Sequence, residues 1–254
     1  MKKVYHSQYE AFGTSIDNLI MDFDSAGESI KDSRNRLKLF QLNGQTINIK
    51  AFKIPNIINQ LVYNFFRKSK AQRSFEYANK LLALGIGTPA PIAYYEFKTP
   101  LLFKKSFYVS EQLDYDITYR ELTKDFNLPD YDIILRAFTR FTYTLHKKGV
   151  HFLDHSPGNT LIKKNEDSYD FYLVDLNRMK FGNMGFKSRI KNFSRLTIHK
   201  SMVEVMSDEY AKCTGEDYGK IFELMWKETE DFQERFYRKK QLKKRLKFWR
   251  SATN

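Results

Sequence analysis

Residues 36–42 and 46–52 each alternate apolar and polar positions, and Asn43-Gly44 lies between them. A period of two marks a half-buried strand, and Asn-Gly supplies the two positive φ values of a type I′ turn. The segment predicts a β-hairpin with Lys50 near the end of its second strand. Upstream the pattern is weaker, predicting a short strand at residues 18–23 and a loop at 24–29. Beyond Pro55 the period becomes helical, with Ile57, Leu61, Tyr63, Phe65 and Phe66 giving a broad apolar face. Charge at residues 68–73 interrupts that face. A second helix then runs to Leu84 and stops at Gly85, a residue suited to the left-handed position after a helix.

The rigid linker Gly87-Thr88-Pro89-Ala90-Pro91 leads into strands predicted at 92–96 and 107–113. Asp130 is placed to cap a helix over 131–148, in which Ile134, Phe138, Phe141 and Leu145 form a core stripe. Gly149 is its stop. A second hairpin, 160–162 with 171–174, surrounds a polar turn at 163–170. Helices follow at 202–212 and roughly 217–244. Strands gather early and helices late, which predicts an α+β chain of two lobes. Residues 1–113 would form a small β-rich lobe with a helix, and residues 114–254 a mainly helical lobe.

The 254 residues are ample for a real core. A single cysteine, Cys213, excludes an intrachain disulfide and suits a reducing compartment. No apolar run approaches the roughly 20 residues needed to span a bilayer, and the basic N-terminus lacks the apolar stretch of a signal peptide. A cytoplasmic protein is the expectation. The formal charge of +13 points to an anionic partner: nucleic acid, lipid or a phosphorylated substrate. At the C-terminus Leu242, Leu246 and Trp249 repeat at helical spacing among many Lys and Arg. Such a helix suits an anionic membrane surface or packs its stripe on its own lobe.

One loop carries the sharpest chemistry. His151-Phe152-Leu153-Asp154-His155-Ser156-Pro157-Gly158-Asn159 places an Asp and an Asn five positions apart, and Asp175 follows the second hairpin. Phosphoryl transfer on a kinase-like fold needs this grouping: one Asp to take the hydroxyl proton, an Asn to hold Mg²⁺, and a later Asp to bridge metal and phosphates. Lys50 is the favoured phosphate-binding lysine, and Lys53 competes. Glu76 is either the partner of that lysine or the first member of a helical pair with Lys80. Residues 111–113 fall where a kinase hinge would meet adenine, which nominates the backbone of Glu111 and Leu113. Gly27 is either an ordinary turn glycine or part of a phosphate-covering loop, although G-x-G-x-x-G is absent. His151 and His155 are read as structural.

With these residues in place the chain resembles the lipopolysaccharide core kinases, the family of Kdo and heptose kinases with a eukaryotic-kinase-like fold. The resemblance runs from about Arg36 to Arg178. Its sharpest part is Asp154-His155-Ser156-Pro157-Gly158-Asn159 with Val174-Asp175-Leu176-Asn177-Arg178, and Leu84-Gly85-Ile86-Gly87-Thr88-Pro89 supports it. It implies that Asp154 is the catalytic base, that Asn159 and Asp175 hold Mg²⁺, and that Lys50 binds the phosphates of ATP. It also implies a Kdo- or heptose-bearing anionic glycolipid as substrate, at the inner membrane of a Gram-negative bacterium, and no nucleic-acid partner. Phe152-Leu153 stands where protein kinases have His-Arg, and no Ala-Pro-Glu follows Asp175, which disfavours a regulated protein kinase. The rivals are an aminoglycoside- or Rio-like kinase acting on a soluble acceptor, and a pseudokinase with a basic binding surface.

Overall fold

The computed structural model describes residues 1–32 and 35–252, with side chains to residue 244. It folds as two units, Met1–Tyr115 with Tyr172–Arg178, and Asp116–Phe171 with the chain from Met179 onward.

The first unit opens with β1 (Lys2–Tyr5), followed by α1 (Gly13–Met21), where the pattern predicts a strand over residues 18–23. The helical period prevails there because Ile16, Ile20 and Phe23 recur every three or four residues and all bury. The predicted loop contracts to a turn that leads into β2 (Glu28–Asp32). Then come β3 (Arg36–Leu42) and β4 (Gln45–Ala51), paired from Arg36 opposite Ala51 to Leu42 opposite Gln45. Asn43 and Gly44 close the hairpin at φ 49° and 80°, as the dipeptide demands.

Two helices follow, α2 (Ile57–Phe65), capped by the Asn56 side chain, and α3 (Lys70–Ala83), capped by Ser69. Gly85, at φ 64°, ends α3 with Ile86 N–H bonded to Leu81 O and Gly85 N–H to Leu82 O. Strands β5 (Pro91–Lys98) and β6 (Phe103–Glu111) complete an antiparallel sheet in the order β1-β5-β6-β4-β3-β2. One face of the sheet carries Ile47, Ile49, Ile92, Tyr95 and Val109 against α1. The other meets α3 through Phe75 and Tyr94, whose rings lie 5.4 Å apart.

The second unit begins with β7 (Ile117–Thr118) and a single helical turn, α4 (Tyr119–Leu122), closed by a capping box of Thr118 and Glu121. Then comes α5 (Tyr131–Lys147), whose Ile134, Phe138 and Leu145 are buried as the stripe requires. Asp130 precedes α5 but does not cap it. It adopts φ 59°, and its carboxylate accepts from Lys164 Nζ and Tyr169 Oη instead. Gly149, at φ 68°, stops the helix. Next are β8 (Val150–Phe152), β9 (Thr160–Lys164), β10 (Tyr169–Leu173) and β11 (Met179–Phe181).

Strands β10, β9 and β7 form one sheet, which includes the second predicted hairpin, and β11 pairs with β8 in another. Helices α6 (Phe186–Lys191), α7 (Lys200–Thr214) and α8 (Tyr218–Ala252) close the chain. Phe138 is fully buried with Phe193, Met206 and Tyr210 in the core of this unit. Leu242 on α8 is exposed, and the side chains of Leu246 and Trp249, the rest of the expected stripe, lie outside the described residues.

Gly27 has a packing role. Its φ is +83°, and a Cβ there would fall on the ring of buried Phe40. Gly27→Ala is therefore expected to destabilise the protein by about 2–3 kcal/mol, from left-handed strain plus overpacking. Urea unfolding would measure it, and a neutral result would show that the ring yields.

Candidate active site

The second unit supplies the loop between β8 and β9. His155 N–H bonds to Phe152 O and Asn159 N–H to Ser156 O, so the loop turns twice within nine residues. Asn159 Nδ2 donates to Asp154 O at 2.8 Å, which ties the two candidates together and presents the Asn159 carbonyl oxygen as a hard ligand. A Cβ at Gly158 would meet the guanidinium of Arg120, so a larger residue there would have to move that flexible side chain aside.

A second layer holds this loop. Asn192 Nδ2 donates to Phe152 O at 2.8 Å, and its Oδ1 faces His146 Nε2 at 3.1 Å. His146 Nδ1 lies 2.9 Å from Tyr210 Oη. With the Asn192 nitrogen committed to Phe152, its oxygen must accept, so His146 carries the proton on Nε2 and accepts from Tyr210. Arg195 completes the arrangement: its Nη1 donates to Leu153 O at 2.9 Å and to Asp154 Oδ1 at 2.7 Å. The sequence shows Arg195 only as one cation in a basic stretch. No spacing rule links it to Asp154, which lies 41 residues earlier.

The first unit supplies a second group. Lys50, on β4, reaches Asp175 Oδ1 with its Nζ at 2.9 Å. Asn177 Nδ2 donates to the same oxygen at 2.6 Å. Burial pushes the Asp175 carboxyl up, but the Lys50 ammonium and the Asn177 amide override it, and the group lies below the ordinary carboxylate range. Asp175 is thus an ionised oxygen donor. Its φ of 59° is a conformation that Asp tolerates better than most residues. Gly87 and Thr88 anchor the approach to it: Leu173 N–H bonds to Gly87 O at 2.9 Å, and Thr88 Oγ1 donates to Leu173 O at 2.8 Å. That gives the Gly87-Thr88-Pro89 stretch a structural purpose.

Other candidates fall elsewhere. Glu76 is not the partner of Lys50: its carboxylate takes Lys68 Nζ at 2.8 Å and Gln72 Nε2 at 2.9 Å. Lys53 is exposed, and its backbone N–H bonds to Asn35 Oδ1. Glu111 accepts from Tyr9 Oη through its side chain and donates its N–H to Ala90 O, while Leu113 O accepts from Gln112 Nε2. His151 lies on β8 opposite Lys180. Among the described residues no cluster of three or more His, Cys, Asp or Glu is placed to hold a metal. Mg²⁺ needs none, since one or two protein oxygens plus substrate phosphates suffice. The oxygens of Asn159, in the second unit, and of Asp175, in the first, are each of the donor type that Mg²⁺ takes.

His155 is fully buried, stacked on Phe138 at 5.4 Å. The Thr142 hydroxyl is committed to Phe138 O, so His155 donates from Nε2 to Thr142, and its buried Nδ1 has no hydrogen-bond partner. Burial holds His155 down at about 3 and His146 at about 4. In the unfolded chain both take up a proton near pH 6.5. Stability is therefore full above that pH and declines as pH falls toward the folded values, approaching about 1.4 kcal/mol per pH unit for each histidine. Urea unfolding between pH 7 and 5, above the main carboxylate range, should show this decline. A flat profile would contradict two neutral buried imidazoles.

Comparison with known proteins gives a fold and a family. Among solved structures, WaaP in complex with acyl carrier protein superposes with a TM-score of 0.63, over 91% of this chain and 99% of that one, at 15% sequence identity. The likeness establishes a shared mixed α+β, protein-kinase-like fold. No curated protein sequence matches the chain. Residues 20–224, most of the length and all of the candidate site residues, match the Lipopolysaccharide kinase (Kdo/WaaP) family, and the chain belongs to that family.

Proposed function

We propose that this kinase transfers the γ-phosphate of ATP to a sugar hydroxyl, of Kdo or heptose, on the inner core of lipopolysaccharide. The observation that carries the reading is the Lys50–Asp175 pair, an ammonium and an ionised carboxylate 2.9 Å apart. A nucleotide triphosphate would use both, with its phosphate oxygens on Lys50 and its metal on Asp175. Asp154 and Asn159 are read as acting on the same nucleotide and acceptor.

In this scheme Asp154 orients the sugar hydroxyl and takes its proton as the oxygen attacks phosphorus. Arg195 fixes the carboxylate for that task, through the same guanidinium nitrogen that binds Leu153 O. Lys50 Nζ neutralises charge on the phosphates. Asn159 and Asp175 would hold Mg²⁺, which would supply positive charge against the charge that develops on the phosphates. The Leu113 N–H and the Glu111 C=O are the hinge groups proposed to meet adenine. The acceptor is an anionic glycolipid in the cytoplasmic leaflet of the inner membrane, which accounts for the net charge of +13.

The decisive assay supplies ATP and Mg²⁺ with a Kdo-bearing lipid A precursor and reads phosphate incorporation by mass spectrometry. Incorporation into a core sugar is expected, and Asp154→Ala should lower it by about 10³-fold while sparing ATP binding. ATP binding without incorporation would move the acceptor to a soluble molecule, and absence of ATP binding would make the chain a pseudokinase. Arg195→Met should lower kcat by about 10- to 100-fold with the KM for ATP unchanged, and Arg195→Lys should recover part of the loss. An Arg195→Met enzyme with unaltered kcat would remove the positioning role.

A further inference from the structure

Helix α2 has no buried residue. One side of it is fastened: Tyr63 packs on Phe103 with ring centroids 5.7 Å apart, and Asn64 Nδ2 donates to Pro100 O at 3.2 Å. The other side holds Ile57, Leu61 and Phe65 at successive four-residue steps, with Ile58 beside them and Phe66 just past the end. All five are exposed, Ile57 to 63%, Ile58 to 69% and Phe66 to 86%. Leu101, next to the Pro100 that anchors the helix, is 68% exposed as well. Scattered apolar residues on a surface need no explanation, but a contiguous protruding stripe does.

The stretch of chain that carries this stripe is cationic, although its Arg36, Lys50 and Lys68 are paired with Asp24, Asp175 and Glu76. Between Asp32 and Glu76 the chain carries nine Lys and Arg and no carboxylate. Arg67, Lys68 and Lys70 follow the helix directly. At its N-terminal end a cleft of about 350 Å³ is lined by Lys53, Lys70, Asn56 and Asn59 together with Phe52 and Phe103. The cleft has cations and amides for an anionic headgroup and aromatic rings beside them. An apolar face that protrudes, with Arg67 at one end and adjoining such a cleft at the other, has the layout of a helix lying in a bilayer interface.

We propose that the outward face of α2 docks this protein on an anionic phospholipid bilayer, with Ile57, Ile58, Leu61, Phe65 and Phe66 entering the acyl boundary and Lys53 and Lys70 at the headgroup phosphates. The docking face includes none of Lys50, Asp154, Asn159 and Asp175, and the inference does not rest on the phosphotransfer chemistry. It would bring the enzyme to the layer in which the proposed glycolipid acceptor resides.

The test is co-sedimentation of the full chain with vesicles of mixed phosphatidylglycerol and phosphatidylcholine, and with phosphatidylcholine alone. The unaltered chain is expected to bind the mixed vesicles. The double variant Ile58→Asn/Phe65→Asn should lower that partition at least about tenfold with its melting temperature unchanged. Its phosphotransfer to a detergent-dispersed acceptor should also be unchanged, so a failure of docking and a failure of the kinase reading can be told apart. Lys53→Gln/Lys70→Gln should weaken binding to the mixed vesicles only. The α8 variant Lys239→Glu/Lys240→Glu provides the contrast. Loss of binding there with none in the α2 variants would overturn the proposal. So would failure of the unaltered chain to bind mixed vesicles, which would leave an acidic protein as the occupant of the face.

Discussion

The carbonyl of Phe152, at the end of a short strand, accepts from His155 N–H within its own loop and from the amide of Asn192 outside it. The bond from Asn192 uses the second lone pair of that oxygen and anchors the loop to the helical core. His146 fixes which way Asn192 points, and Tyr210 fixes His146. Helices α5 and α7 thus reach, through buried polar side chains, the backbone that carries Asp154. Each member is satisfied only in one protonation and rotamer state, which is what lets a small polar relay specify a loop. Arg195, three residues beyond Asn192, extends the same hold from the backbone to the carboxylate itself.

In the first unit, by contrast, charge sets the ionisation of the site. Asp175 is half-buried in a left-handed conformation, and it stays ionised because Lys50 and Asn177 both address one of its oxygens. The ion pair is partly shielded, with the Lys50 side chain 18% exposed. Its worth to folding is small beside the desolvation it repays. The hold on the backbone comes from Gly87 and Thr88, so position and charge at this site have separate structural causes.

Features of short range were legible in the sequence. Asn43-Gly44, Gly85 and Gly149 each need a positive φ, and that need is visible in the residue type alone. The spacing of Asp154, Asn159 and Asp175 could be read because a loop and a hairpin are contiguous pieces of chain. What escaped depends on tertiary contact. Glu76 has carboxylate chemistry suited to several partners, and Lys68 holds it through a turn that no pattern encodes. Asp130 has the right type for a cap, but Lys164 and Tyr169 draw its side chain away. Residues 18–23 look strand-like by composition, and burial of Ile16, Ile20 and Phe23 on one face makes them helical. The apolar face after Pro55 was visible as a face, but only the structure shows that it points outward.

The segment Tyr172–Arg178 belongs to the first unit although the chain on both sides of it belongs to the second. The polypeptide therefore passes between the units three times, after Tyr115, after Phe171 and after Arg178. Neither unit is one uninterrupted stretch. A gene cut at the first passage would leave the early fragment with Lys50 but without Asp175, and with Gly87 and Thr88 facing no Leu173. The two halves of this kinase cannot be shuffled among other proteins as separate modules, and the fold is inherited whole.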